Sequence, residues 1–547
     1  MSVRSNTRWD VAVASIAALV YAPTLGGGTV WDDEFLTTRN PYLTPSRWGE
    51  LVSNDLWVAS AKGEAAGYYR PLGTLSLAVN RFLGNEPWSY HLGNVLVHAA
   101  VCVALRRLVL AYRPRATGTA TLAALAFGLA PIATEAVEWL SGRFDLLGAL
   151  FLLLAMRANV LKRTAAVVAL FAAALFSKET LVIAPALFAL DDLLHRRSTL
   201  RGAVPKYLAL AGVGALYVWA RTASHVPNAV MSERLVSAEA FRSYTGCVAL
   251  YGATLARLVA PSIFHVYRDP GAAFAVACSA VLLVTTLGLA AWARRERSRL
   301  GVMVGWLGAL ACLVPVGLTA PRLFQTGDRY AYVAVALVAL AIGVGLERAL
   351  RRAPIAARAA TFGLAVFTAG GVPAVLRRHA DWRDEDTLFR VELDRDPERY
   401  WAAALLGEIE AKRGNLPEAE RLLLSARGHL PRPYRVETAL CYVYLNEGRF
   451  TEARDRCDAA LALQPDDPRA LTNRANARLL LGDHQGALAD AQHAAVVKPQ
   501  SAEAHAIAAE ALYALGRRDE ARAENDAALA LAPSHARALR LRSILDR

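Results

Sequence analysis

Residues 448–465, GRFTEARDRCDAALALQP, decide the fold of the C-terminal third of the chain because their pattern recurs with a fixed period. Glycine and proline each recur at intervals of 34 residues, and alanine recurs at two matching offsets between them. The recurring residues are Gly414, Gly448, Gly482 and Gly516; Pro431, Pro465, Pro499 and Pro533; Ala419, Ala453, Ala487 and Ala521; and Ala426, Ala460, Ala494 and Ala528. A glycine between two helices, small residues where the helices touch and a proline that ends the second helix predict a stack of helix pairs.

This pattern resembles the tetratricopeptide repeat. Four repeats fit residues 400–433, 434–467, 468–501 and 502–535, followed by a capping helix over 536–547. A connecting helix is expected within 379–399, ahead of the first repeat. A solenoid of this kind has a concave groove that fits an extended acceptor polypeptide.

Upstream of the repeats the composition changes to long apolar runs separated by short clusters of arginine and lysine. The whole chain is 55% hydrophobic and 20% charged, with a formal net charge of +13. The basic clusters stand where cytoplasmic loops of a membrane protein would be, so we assign the charge to membrane topology and exclude nucleic acid as a partner. The six cysteines form no CxxC motif, which argues against a structural zinc site.

The apolar runs predict eleven membrane spans and an all-α fold: a polytopic helix bundle followed by an α-solenoid. The predicted spans are 9–25, 90–111, 117–134, 143–158, 163–177, 180–194, 204–221, 272–293, 301–319, 329–347 and 355–377. The basic clusters face the cytoplasm only if 241–262 is an interfacial or re-entrant helix on the outer side. The expected protein is therefore a multi-pass inner-membrane protein with a cytoplasmic N-terminus, a membrane domain over 1–378 and a periplasmic repeat domain (luminal in a eukaryote).

The first outer loop, about 26–87, contains the string VWDDEF with Asp32 and Asp33 just beyond the first span. The apolar neighbours Trp31 and Phe35 are expected to hold these carboxylates against the membrane surface. A carboxylate there could accept the proton of an attacking hydroxyl. The alternative is that the two acids belong to an ordinary solvated loop.

At this point the chain resembles the large membrane glycosyltransferases of the GT-C class, and in particular the transmembrane-and-tetratricopeptide-repeat O-mannosyltransferases and their bacterial relatives. The strings that carry the resemblance are VWDD at 30–33, YYRPL at 68–72, HLGNVLVH at 91–98, APIATEAVEWLSGRFDLL at 130–147, FSKET at 176–180 and DRYAYV at 328–333. The sequence departs from the family at Ala130, where His is frequent, and at Asp328, where Glu is frequent.

The resemblance implies a polyprenyl-phosphate sugar donor, with mannose as the expected sugar, and transfer with inversion to a hydroxyl outside the cytoplasm. The expected acceptor is a Ser or Thr of a protein recruited by the repeats. Aligned on the family motif, Asp32 is the expected general base and Asp33 its support; the competing assignment makes Asp33 the base and Asp32 a helix cap. Such families include metal-dependent and metal-independent members, and the lack of a further acidic cluster favours catalysis without a metal cofactor.

A phosphate leaving group needs cations at the outer face. Four basic residues fall there in the predicted topology: Arg329, Lys178, Arg70 and Arg143. For each one, the alternative is a long side chain that reaches the membrane interface for solvation alone. Glu179 is expected to orient or pair with Lys178, and His91 is a supporting residue for which packing or a hydrogen bond is the alternative role.

Three other functions remain open at this point. An O-antigen ligase or oligosaccharyltransferase would place key residues in a late outer loop, but the late loop here, 319–329, is short. A non-enzymatic membrane-anchored repeat scaffold would not need the first loop, and a transporter would show internal membrane repeats.

Cys441 and Cys457 occupy the eighth and twenty-fourth positions of one repeat, between its two helices. Two small free core residues are the favoured interpretation, because cysteine packs well in such a seam without oxidation. A disulfide is the alternative, in a compartment that permits it.

Overall fold

A computed structural model describes residues 3–60, 67–195, 200–224, 271–294, 300–323, 328–430 and 433–546. Within these ranges the regular structure is helical, and no strand occurs. The chain forms two compact units, Met1–Glu385 and Asp386–Arg547.

In its described residues, the N-terminal unit contains long helices and, between α1 and α5, the extended first loop. Its α-helices are α1 Val3–Val20, α2 Asp33–Leu36, α3 Trp48–Ser53, α4 Pro71–Asn80, α5 Pro87–Tyr112, α6 Thr117–Gly128, α7 Thr134–Glu138, α8 Arg143–Val160, α9 Thr164–Ser177, α10 Ala184–His195, α11 Leu200–Ala223, α12 Gly271–Arg294, α13 Leu300–Leu323, α14 Tyr332–Arg352 and α15 Pro354–Asp381.

Helix α5 lies at the centre of this unit and packs against α1, α6, α8 and α14. Its buried side chains, among them Val101 and Leu105, belong to one continuous apolar core. The buried Arg106 of α5 donates to Asp10 of α1 at 2.5 Å, which neutralises a cation that has no access to solvent. Since Asp10 also accepts from Arg107 at 2.7 Å, one carboxylate ties α1 to two arginines of α5.

Each of the eleven predicted spans overlaps a helical segment of the structure. Among the described residues, however, four helices are long and apolar enough to cross a membrane: Pro87–Tyr112, Gly202–Ala223, Asp328–Arg352 and Pro354–Asp381. The number of eleven crossings therefore stays a prediction. The stretch 241–262, predicted to be interfacial or re-entrant, lies outside the described residues.

The predicted span 117–134 is not one continuous helix. Helix α6 ends at Gly128, and the next helical stretch, Pro131–Glu138, is bent from it by 54°. Pro131 accounts for the break, because proline lacks the N–H that would continue the helix. The two parts make a fifth candidate crossing only if they act as one broken span.

The C-terminal unit is a tetratricopeptide-repeat solenoid of paired helices. Its helices are α16 Glu385–Arg395, α17 Tyr400–Arg413, α18 Leu416–Arg427, α19 Tyr434–Asn446, α20 Phe450–Leu463, α21 Pro468–Leu480, α22 His484–Val497, α23 Ala502–Ala514, α24 Arg518–Leu531 and α25 Ala536–Leu545. The glycines of the 34-residue period stand in the turn inside each pair, as predicted. Their φ angles lie between +77° and +85°, a conformation that favours glycine: Gly414, Gly448, Gly482 and Gly516.

The eighth and twenty-fourth positions of a repeat meet where its two helices approach most closely. In the first repeat they are Gly407 and Leu423, and a Cβ added to Gly407 would lie 2.7 Å from Leu423 Cγ. In the second repeat the same positions are Cys441 and Cys457, which form a disulfide with a Cα–Cα distance of 5.4 Å. The favoured interpretation of two free core cysteines is therefore wrong.

The predicted topology is tested by reporter fusions after Asp381. Because eleven crossings from a cytoplasmic N-terminus end outside, alkaline phosphatase fused there should be active and green fluorescent protein should be dark. Fusions after Tyr112, which the topology places in the cytoplasm, are the control with the opposite pattern. A fluorescent fusion after Asp381 would refute the topology.

The disulfide is tested by thiol labelling of unfolded protein before and after reduction. Cys441 and Cys457 should be labelled only after reduction, whereas the buried free thiols Cys102 and Cys312 should be labelled in both samples. Replacing both bridged cysteines by alanine should lower the stability of the repeat unit by about 2–4 kcal/mol, measured by thermal or chemical unfolding. Full labelling of Cys441 without reductant, in protein purified from an oxidising compartment, would contradict the bridge.

Candidate active site

Asp33 fixes the first outer loop to the turn that precedes α8. Its side chain is fully buried and accepts hydrogen bonds from three backbone N–H groups, those of Val30 at 3.2 Å, Leu140 at 3.2 Å and Ser141 at 3.1 Å. The Ser141 hydroxyl donates a fourth at 3.2 Å. These contacts join two segments that are more than a hundred residues apart in the sequence.

The environment of Asp33 suits a structural role better than a catalytic one. Burial raises the pKa of Asp33 to about 8, although the donors of Leu140, Val30 and Ser141 oppose that rise. Because the carboxyl group has no exposed surface, a substrate cannot touch it. The structure gives no support to Asp33 as the base.

Asp32 stands beside Asp33 and is half-buried. It directly precedes α2, but its side chain makes no capping hydrogen bond there, contrary to the competing assignment of Asp32 as a helix cap. The preceding residue, Trp31, has a φ of +60°, a rare conformation for a residue with a side chain. Of the two acids, Asp32 is the one with exposed surface.

An aromatic stack joins the Asp32 segment to one of the predicted cations. The rings of Trp31 and Trp139 are stacked, with centroids 5.8 Å apart. The guanidinium carbon of Arg329 lies 4.1 Å from the centroid of Trp139, within cation–π distance. The acidic motif of the first loop and Arg329 of the last outer turn are therefore neighbours, linked through Trp139.

Arg329 is paired as well as stacked. Glu135 accepts from its guanidinium and also from the backbone N–H of Asp328, so one carboxylate holds both the side chain and the turn that carries it. The guanidinium also donates to the hydroxyl of Tyr330 at 3.0 Å.

Lys178 and Arg70 are also paired with carboxylates. Lys178 donates to Asp145 at 2.9 Å, and its ammonium lies 5.6 Å from the ring of Tyr330, the residue that Arg329 also contacts. Arg70 binds Glu179 through two hydrogen bonds of 2.6 and 2.8 Å. Burial opposes the ionisation of Glu179, but Arg70 outweighs it and holds the pKa of this carboxyl below its usual range.

Three of the four predicted cations thus lie in one region: Arg329 and Lys178 share Tyr330, and the partner of Arg70, Glu179, directly follows Lys178. Glu179 pairs with Arg70 rather than with Lys178. A cavity of about 20 Å³, large enough for a single water molecule, lies beside this cluster. Its lining contains the Lys178–Asp145 pair and Tyr330 together with apolar groups such as Leu181 and Val333.

Arg143, the fourth predicted cation, is assigned differently by the structure. Its side chain is buried, and its guanidinium donates to Asn94 at 2.5 Å, to Asn80 at 2.8 Å and to the carbonyl of Tyr90 at 2.8 Å. With these donors engaged by neutral acceptors, Arg143 locks α4, α5 and α8 together. The expectation that it binds phosphate is revised to a structural role.

His91 supports the first loop through the backbone. Its Nε2 lies 3.1 Å from the carbonyl oxygen of Gly28, three residues before Trp31. A Cβ on Gly27 would approach the same nitrogen at 3.4 Å, so the imidazole packs directly on this stretch of chain. These contacts agree with the alternative role given for His91, which is packing and a hydrogen bond.

Several acidic residues near the predicted cations were not predicted as site residues. Glu135 pairs with Arg329, Asp145 pairs with Lys178, and Glu138 contacts His379, whose Nε2 also lies 3.0 Å from the carbonyl oxygen of Val20. The available signal was their position, since all three acids fall within the largely apolar stretch 130–147. A further ion pair joins Asp328 to Arg378 at 2.8 Å.

The anchoring role of Asp33 predicts that Asp33→Asn destabilises the protein. The amide of asparagine has one acceptor oxygen where the carboxyl group has two, so at least one buried donor would be left unsatisfied at a cost of about 1–3 kcal/mol. Because burial raises the pKa of Asp33 from 3.8 to about 8 on folding, its contribution to stability is full below the lower value and is lost progressively as the pH rises through the higher one.

Thermal midpoints measured from about pH 5 to about pH 9 should therefore show the largest deficit of Asp33→Asn at the acidic end. Asp32→Asn, at the half-buried neighbour, is the matched control and should keep the midpoint of the wild type. Equal midpoints for all three proteins across the range would refute the anchoring role.

Comparisons with known proteins place the chain beside one group of enzymes. It is 37% identical over 151 residues to protein O-mannosyl-transferase tmtc2 of Xenopus laevis, covering 27% of this chain and 18% of that protein. It is 37% identical over 153 residues to TMTC1 of Homo sapiens and 35% identical over 194 residues to Tmtc1 of Drosophila melanogaster, covering 26% and 33% of this chain and 17% and 22% of those proteins. The chain thus spans about a fifth of the length of these curated relatives. No protein-family model matches it.

Among solved structures, the chain is similar to the first TPR domain of human RPAP3, with 24% identity, 21% of this chain and 89% of that chain covered, and a TM-score of 0.20. It is also similar to TTC0263, a thermophilic TPR protein of Thermus thermophilus, with 22% identity, 37% and 97% covered, and a TM-score of 0.25. By sequence, and over about a quarter of its length, the chain is similar to the TMTC-type protein O-mannosyl-transferases.

Proposed function

We propose that the chain is a membrane glycosyltransferase that moves mannose from a polyprenyl-phosphate carrier to a Ser or Thr hydroxyl of a protein outside the cytoplasm. The names of its relatives support O-mannosyl transfer. The observation that carries the proposal is the stack of Trp31, Trp139 and Arg329, which brings an accessible carboxylate next to a cluster of cations.

Asp32 is the general base in this proposal. The acceptor oxygen attacks the anomeric carbon of the sugar while its proton passes to the Asp32 carboxylate. The bond between that carbon and the phosphate oxygen breaks on the opposite side, and the phosphate leaves with the electron pair. The anomeric configuration is thereby inverted.

Arg329, Lys178 and Arg70 stabilise the phosphate as its negative charge develops. Each is already paired with a carboxylate, so the phosphate would share or replace Glu135, Asp145 or Glu179 as the partner. The pairing keeps the cations in place within a poorly solvated site before a donor arrives. The aromatic rings of Trp139 and Tyr330 further limit the positions that Arg329 can adopt.

The acceptor protein is proposed to bind in the groove of the repeat solenoid, and the bilayer holds the donor. We further propose that transfer needs no metal cofactor, that the N-terminus is cytoplasmic, and that the repeats lie in the periplasm or in a eukaryotic lumen. The disulfide between Cys441 and Cys457 supports the last point, because such bonds persist in oxidising compartments.

The decisive experiment is a donor assay with purified protein in liposomes that contain polyprenyl-phosphate-mannose. Loss of donor and mannosylation of added acceptor protein should both depend on the enzyme and should persist in the presence of EDTA. Asp32→Asn keeps the shape of the side chain but removes its basicity, so turnover should fall by about 10²-fold or more while donor affinity changes little. Glu34→Gln, at a half-buried acid in the same segment, is the matched control and should stay active.

Near-normal turnover by Asp32→Asn would refute its role as the base. Absence of donor consumption by the wild type with mannose, glucose and galactose donors would refute the proposed reaction class.

A further inference from the structure

The end of α4 and the start of α5 carry an apolar patch that faces away from the protein core. Val79, Phe82, Leu83 and Trp88 are 58%, 67%, 55% and 42% exposed, respectively. We call these four residues the loop patch. They fall within ten consecutive residues, at the end of α4, in the turn that follows it and in the first turn of α5.

The opposite face of the same segment is firmly anchored. Leu77 and Ala78 are buried in a core that also contains Leu36, Leu140 and Phe144. The turn between α4 and α5 is held by hydrogen bonds from Arg81 to Asn85 at 2.9 Å and from Asn85 to the carbonyl of Thr38 at 2.8 Å. The loop patch therefore projects from a rigid support.

The start of α5 locates the loop patch relative to a membrane. Helix α5 has 26 residues and is apolar enough to span a bilayer. At 1.5 Å per residue it is about 39 Å long, which exceeds a hydrocarbon core of about 30 Å. The predicted span 90–111 begins after Trp88, which places the first turn of α5 at the level of the lipid headgroups, and the remainder of the patch directly precedes it.

We propose that the loop patch inserts into the outer leaflet of the bilayer. Tryptophan and phenylalanine at the end of a span suit this interface. The alternative occupants of this surface are a second copy of the chain and another protein, and crosslinking from the patch separates these outcomes.

Insertion would fix the height of the acidic motif above the membrane. The core behind the loop patch contains Leu36, three residues after Asp33, and Leu140, whose N–H binds Asp33. This positioning role rests on the proposed function: the inserted patch holds Asp32 at the level of a lipid-linked donor. It makes the patch a positioning element that lies outside the reacting groups.

The first test introduces a photo-crosslinking amino acid at Phe82 in the full-length protein, reconstituted in phosphatidylcholine–phosphatidylglycerol liposomes. Mass spectrometry after illumination should show phospholipid adducts at position 82. Ser53, an exposed polar position of the same loop, is the matched control and should give few or none. Protein–protein adducts at position 82, or equal lipid adducts at both positions, would overturn the proposal, whether or not the protein is an enzyme.

The second test asks whether insertion matters for turnover. Phe82→Ser combined with Leu83→Ser should reduce donor consumption severalfold in liposomes and leave it close to wild type in detergent, where no bilayer sets the height of the loop. Leu480→Ser, at a half-exposed leucine of the repeat unit, is the control. Unchanged turnover in liposomes would refute the positioning role, whereas equal loss in both media would show a folding defect and refute it as well.

Discussion

The docking of Asp33 is the interaction on which the arrangement of the candidate site depends. A long outer loop has many conformations, and its acidic motif could lie anywhere within reach of the first span. Four donors converge on one buried carboxyl group and select a single position for residues 30–36. Once that position is set, Trp31 meets Trp139, and Leu36 joins the core under α4. The half-buried Asp32 is held in place by a neighbour whose carboxyl group is fully buried.

The sequence was most informative where the structure is local. The repeat glycines were recognisable because a turn with positive φ depends on one residue, and the 34-residue spacing repeats that requirement four times. The seam between Cys441 and Cys457 was also placed correctly by its repeat positions. Their oxidation state was not, because packing alone accommodates either two thiols or a bridge, and Gly407 with Leu423 shows how tight the seam is.

Long-range pairing was the part that could not be predicted. The sequence offered four candidate cations for the outer face: Arg70, Arg143, Lys178 and Arg329. Nothing in their local sequence shows that Arg143 alone among them is enclosed by the neutral acceptors Asn80, Asn94 and Tyr90. Glu179 follows Lys178 directly, yet its partner is Arg70, more than a hundred residues away. The resemblance to TMTC-type enzymes pointed to the strings that contain these residues, but only the fold decides which side chains in them touch.

The matching of each clustered cation by a carboxylate has a consequence for how an anionic substrate would be captured. Arg329 with Glu135, Lys178 with Asp145 and Arg70 with Glu179 are each neutral as pairs, so their fields cancel beyond a few ångströms. Such a site exerts little long-range attraction on an anion in bulk water. Encounter would then rely on two-dimensional diffusion of a lipid within its leaflet, and binding on the exchange of ionic partners at contact. The rate of capture in this scheme is nearly independent of ionic strength, in contrast to enzymes that steer soluble anions with an open positive field.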